Sequence, residues 1–75
     1  ELGNLPLAKL HYQVAIEIEP EFSNGYFNLG LTYARNHEWQ AAIDALSQYL
    51  LRVSLEEGKQ ARELIQQMTA SLHQA

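Results

Sequence analysis

Ser23-Asn24-Gly25-Tyr26-Phe27-Asn28-Leu29-Gly30-Leu31-Thr32-Tyr33-Ala34-Arg35 is the stretch that decides the fold. Tyr26, Leu29, Gly30 and Tyr33 recur at steps of three and four, so a helix gathers them on one stripe. Ser23 is placed to cap its N-terminus, and Asn36-His37-Glu38 reads as a short turn beyond Arg35. Downstream, Trp39, Ala42, Ile43, Leu46, Tyr49 and Leu50 form the apolar face of a helix ending near Arg52 or Val53. Ser54 and Glu57 stand at capping-box spacing, which predicts a last helix opening at Ser54. Its apolar face is Ala61, Leu64, Ile65, Met68 and Leu72. Gly58 falls in its first turn and is expected to weaken it by about 1 kcal/mol relative to Ala. Upstream, Leu5, Ala8, Tyr12, Ala15 and Ile16 mark a helix from Leu5 to Ile18, with Pro6 in its first turn and Pro20 as its stop. No segment alternates with period two for long enough to make a strand. The expected class is all-α, about four helices with antiparallel neighbours, because the connections are short.

Composition narrows the function before any site is named. The chain has 75 residues and no Cys, so it has room for one small domain without disulfides or thiolate metal ligands. Five Lys and Arg against nine Asp and Glu give a net charge of −4, which argues against a general nucleic-acid binder. No apolar run approaches the roughly 20 residues of a membrane span, and no signal peptide is visible; the compartment is left open by the sequence, with the cytoplasm only as the default. His11, His37 and His73 have no ligand-like pairing. Ser23, Ser47, Ser54 and Ser71 lack the Gly-x-Ser-x-Gly turn of a nucleophile, and no Gly-rich phosphate loop is present. Glu17, Glu19 and Glu21 read as a solvated cluster. No enzyme activity, cofactor or metal is therefore expected.

Sliding the chain by 34 positions sets Leu5 on Trp39, Ala8 on Ala42, Tyr12 on Leu46 and Ile16 on Leu50, an internal echo. With Tyr26, Leu29, Gly30 and Tyr33 at the spacing of W-x2-L-G-x2-Y, and Ala42 and Leu46 at a small and a large position, the stretch resembles the tetratricopeptide repeat. The resemblance implies a complete repeat over 23–56, preceded by the second helix of an incomplete repeat over 1–20, whose Gly3-Asn4-Leu5 matches the intra-repeat turn. A capping helix over 54–73 follows. It implies an α-α superhelix, a chain that is a piece of a larger protein, and a glycine at Gly30 that lets the next helix cross closely.

The family resemblance implies a protein-interaction scaffold whose first helices line a groove for a peptide or partner helix. With the core stripe turned inward, Asn24, Phe27, Asn28, Leu31 and Arg35 take the free face of their helix and are the candidate peptide-binding residues. Lys59 and Arg62 are candidates to line the same groove, and Arg35, Lys59 and Arg62 are the available cations for a carboxylate clamp. The first helix carries a second apolar row, Leu7, Leu10 and Val14, where the positions 34 later are Ala41, Asp44 and Gln48. A helix apolar most of the way round is covered on two sides. The row is thus a candidate surface for self-association into a homo-oligomer or for covering by an upstream segment. The alternative function is a structural or oligomerisation segment of a larger protein, with or without an enzymatic domain elsewhere in it.

Overall fold

The computed structural model describes residues 5–19 and 21–73, with side chains from residue 7 onward. The roles expected of Gly3, Asn4 and Pro20, and the side-chain positions of Leu5 and Pro6, lie outside the described residues. Four helices follow one another: α1 Leu5–Ile18, α2 Ser23–Arg35, α3 Trp39–Leu50 and α4 Lys59–His73. There is no strand among the described residues.

Consecutive helices pack on one another and run antiparallel. Arg52, just beyond α3, lies 3.8 Å from Glu21, just before α2, while Lys9 near the start of α1 bonds Glu38 in the α2–α3 turn at 2.9 Å. The Cα atoms fill a slab of 36 × 34 × 15 Å. A single sheet of helices would be about 5 Å thick at the Cα cylinders, whereas two layers spaced by roughly 8–10 Å give about 13–15 Å. The chain therefore zigzags between two helix layers.

The core lies between α2, α3 and α4. Ala42, Leu46 and Ala61 are fully buried and Met68 is 4% exposed, with Phe27, Trp39, Tyr49, Leu64 and Ile65 packed around them. Gly30 explains how α2 and α3 come so close. A Cβ there would stand 2.8 Å from Leu46 Cγ and 2.9 Å from its Cδ2, inside ordinary carbon contact. The glycine expected to let the next helix cross closely does so. By contrast, no described side chain of α1 is buried. Ala8, Tyr12, Ala15 and Ile16 are half-buried against α2. Polar ties join α1 to α2 and the turn after it: Lys9 to Glu38, Lys9 over the Tyr33 ring at 5.5 Å, and Gln13 Nε2 donating to Tyr33 Oη at 3.1 Å.

Helix ends depart from the sequence reading in three places. Phe22, not Ser23, is the N-cap of α2, with no side-chain cap bond, and Ser23 is already helical. The turn instead satisfies its backbone locally, with Gly25 N–H donating to the Phe22 carbonyl at 3.1 Å. Helix α3 stops at Leu50, short of the expected Arg52 or Val53. The capping box does close, Glu57 N–H to Ser54 Oγ at 3.2 Å and Ser54 N–H to Glu57 Oε1 at 3.2 Å. It caps one separate turn, however, and α4 proper begins at Lys59. Gly58 sits between the two, where a Cβ would come within 2.5 Å of Leu50 Cδ2. Its role is to let Leu50 lie across the backbone, so it is not a weak link inside a helix.

The α2–α3 turn has a specific geometry. His37 adopts φ 58°, Glu38 N–H donates to the Tyr33 carbonyl at 2.9 Å and His37 N–H to the Ala34 carbonyl at 3.0 Å. This is the Schellman arrangement with histidine in the left-handed position usually given to glycine. The His37 ring stacks on Trp39, centroids 5.2 Å apart.

Candidate functional site

The expected peptide-binding row on α2 is only partly available. Asn24 and Arg35 are exposed and Asn28 and Leu31 half-buried, on a rigid helix seated against the core. Phe27 differs: its ring lies 5.0 Å from that of Tyr49 and packs on the core cluster, so much of its surface holds α2 to α3. The cations expected to share this groove are not brought together. Arg35 closes α2, while Lys59 and Arg62 open α4. Since α2 and α4 each run opposite to α3, these residues stand at opposite ends of the stack. Helix α2 has 13 residues, about 18 Å at 1.5 Å per residue. One carboxylate cannot span that distance.

The apolar row on α1 is open. Leu7 is 67% exposed, Leu10 57%, Val14 44% and Ile18 74%, and Phe22 beyond the helix is 40% exposed. Ile18 and Phe22 extend the row read from sequence and, with Glu19, Glu21 and Ser23, line a cleft of about 460 Å³ at its end. The repeat shows what such a row faces. On α3 the equivalent positions Ala41, Asp44 and Gln48 line a second cleft of about 300 Å³ together with Tyr26, Leu29 and Tyr33 of α2. The α3 row is small and polar and has a helix beside it, whereas the α1 row is large and apolar and stands bare. Contiguous exposed apolar surface of this kind makes the row a candidate interaction site.

Two polar assemblies were not legible in the sequence. Arg52 lies over the Tyr26 ring at 4.3 Å, donates to the Gln48 carbonyl at 2.9 Å and reaches towards Glu21, joining α2, α3 and the α1–α2 connection. Its spacing from Gln48 fits a helix, but its position over Tyr26 depends on how α3 crosses α2. Glu38 accepts from Asn36 Nδ2 at 2.8 Å and from Lys9 Nζ at 2.9 Å. The Asn36 amide, followed by Lys9, holds its carboxyl below the ordinary value of 4.5. Among the described residues no three His, Asp or Glu side chains come together to hold a metal ion. Among the described residues no helix is long and apolar enough to cross a membrane.

Antiparallel helix pairs in two layers, with an internal 34-residue echo, define a helical-repeat protein. Residues 11–44 match the family model of the tetratricopeptide repeat, and the chain carries that repeat. The match opens in α1 and closes in α3, in a different phase from the repeat read over 23–56, and it includes the Tyr26, Leu29, Gly30 and Tyr33 stripe. No curated protein and no solved structure gives a significant match to the chain. The repeat suggests a protein-interaction module in general.

Proposed function

We propose that this chain binds another polypeptide along the outer row of α1, Leu7, Leu10, Val14 and Ile18, with Phe22 at its end. The division that goes with this reading is a half-repeat over 1–20, a complete repeat over 23–56 and a closing segment over 54–73. What carries the reading is the contrast between positions 34 apart: four large apolar side chains between 44% and 74% exposed on α1, where the equivalents, Ala41, Asp44 and Gln48 of α3 and Arg52 just beyond it, are small or polar. A helix partner suits the row because its spacing of three and four repeats along about 16 Å of helix, the length of roughly eleven residues. A second reading, an extended peptide on α2, is favoured by Asn28 and Leu31 standing half-open beside exposed Asn24 and Arg35.

A photo-crosslinking residue at Leu10, in the protein expressed in its own cells, tests the first reading. It should capture a discrete polypeptide that the same residue at Gln66 on α4 does not. Capture at Leu31 with none at Leu10 would move the docking surface to α2. Equal capture at Leu10, Leu31 and Gln66 would overturn both readings.

A further inference from the structure

Asn24 is followed by Gly25, whereas Asn4 and Asn28 are followed by Leu and Asn36 by His. The difference bears on a reaction that asparagine undergoes with its own backbone. The nitrogen of the next residue attacks the side-chain carbonyl carbon, and a side chain on that residue hinders the approach. Glycine has none. Asn24 is also exposed, so water reaches its amide.

The fold asks for this glycine. Gly25 is buried in the first turn of α2, and a Cβ there would lie 3.1 Å from Phe22 Cδ2 and 3.2 Å from Ile16 Cγ1. Both distances are shorter than ordinary carbon contact, and Ile16 belongs to α1. Packing between α1 and α2 thus disfavours any side chain that would shield the nitrogen. The same turn restrains the reaction. Gly25 N–H donates to the Phe22 carbonyl at 3.1 Å, and helical dihedrals at Asn24 hold that nitrogen away from the side-chain carbonyl carbon. Asn36 is restrained differently: its side-chain amide donates to Glu38 at 2.8 Å, and His37 N–H donates to the Ala34 carbonyl at 3.0 Å.

We propose that Asn24-Gly25 is a site of spontaneous deamidation, closed while the first turn of α2 is formed and opened when that turn frays. The Gly25 nitrogen bonds to Asn24 Cγ, the bond from Cγ to the side-chain nitrogen breaks, and ammonia leaves carrying the former Gly25 N–H proton. Water then opens the cyclic imide. Cleavage between Cγ and the Gly25 nitrogen gives aspartate; cleavage between the main-chain carbonyl carbon and that nitrogen gives isoaspartate. The two products act differently on the fold. Aspartate adds a negative charge to a first turn that carries no acidic residue, a favourable place for it. Isoaspartate routes the backbone through the former side chain, adding a methylene that displaces Gly25 from beneath Phe22 and Ile16. The change is slow and one-way, and its isoaspartyl branch loosens the joint between α1 and α2.

The test holds the whole chain at mildly alkaline pH, folded or unfolded in urea, and follows each asparagine by peptide mass spectrometry over time. In urea Asn24 should convert faster than Asn28 and Asn36, and Gly25→Ala should slow it to the rate of Asn28. In the folded chain conversion should be about tenfold or more slower, as expected of a site reached through local opening. Phe22→Ala, which removes the ring over Gly25, should raise both the folded rate and the hydrogen exchange of Gly25 N–H. Conversion in urea no faster than at Asn28 would overturn the site. Equal rates folded and unfolded, or a folded rate unmoved by Phe22→Ala, would overturn the gate. The isoaspartyl chain, isolated by chromatography, should melt below the Asn24→Asp variant; equal melting would overturn the coupling to the joint.

Discussion

Replacing Gly30 by Ala tests the close approach of α2 and α3. The added Cβ would lie 2.8 Å from Leu46 Cγ, 2.9 Å from Leu46 Cδ2 and 3.4 Å from the Ala42 carbonyl oxygen. Leu46 cannot retreat cheaply, because it is fully buried in a cluster with Ala42 and Ala61, and the clash reaches its branch carbon as well as a terminal methyl. Overpacking of this kind costs about 1–3 kcal/mol. Alanine returns about 1 kcal/mol of helix propensity. With the contact in the severe part of the range, the expected net loss is about 1–2 kcal/mol, an appreciable share of the roughly 4–11 kcal/mol typical of a chain this size. Urea unfolding followed by circular dichroism should show a lower midpoint with an unchanged slope, and the melting temperature should fall by about 5–15 °C. Leu46→Ala alone should cost about 2–5 kcal/mol. In the Gly30→Ala background it should cost at least about 1 kcal/mol less, because the new methyl occupies part of the vacated space. A Gly30→Ala protein as stable as the wild type, or strictly additive losses in the pair, would refute the claim that this glycine exists to admit Leu46.

Two further expectations concern the polar turn and the α2 row. Glu38 has a depressed pKa in the folded protein, so its contribution is complete above its ordinary value of 4.5 and is lost as pH falls through the lowered value. The stability gap between wild type and Glu38→Gln should accordingly be full at neutral pH and shrink through the acid range in urea melts. A gap constant with pH would contradict the assignment. Phe27→Ala should lose about 1–3 kcal/mol through its packing on Tyr49, whereas exposed Asn24→Ala should stay within about 0.5 kcal/mol. Equal thermal shifts for the two would mean that Phe27 is not part of the core.

Much of the fold was legible because it is local. The limits of α1 and α2 follow from apolar spacing and turn residues, and the crossing at Gly30 follows from a glycine set among large residues on one stripe. The ends that departed from expectation involve competition between a side chain and the backbone. Ser23 has the chemistry of a cap, but the turn through Glu19 and Phe22 supplies the carbonyl first. Ser54 does form its capping box, but Leu50 lying over Gly58 separates that turn from α4. The candidate row on α2 was readable as a free face; that Phe27 belongs half to the core was not, since Tyr49 meets it from another helix.

The sequence by itself determined four helices, their order, their antiparallel pairing and the 34-residue echo, because each depends on residues within a few turns of one another. It also marked Leu7, Leu10 and Val14 as apolar where their counterparts are small or polar. Only the tertiary structure decided which faces are covered. It buried Ala42, Leu46, Ala61 and Met68, left the α1 row extended by Ile18 and Phe22 in the open, seated Arg52 on Tyr26, and placed Arg35 and Arg62 at opposite ends of the stack. Periodicity tells which side of a helix is apolar, but burial is a property of what packs against that side, and that is set by helix crossings between residues far apart in the chain.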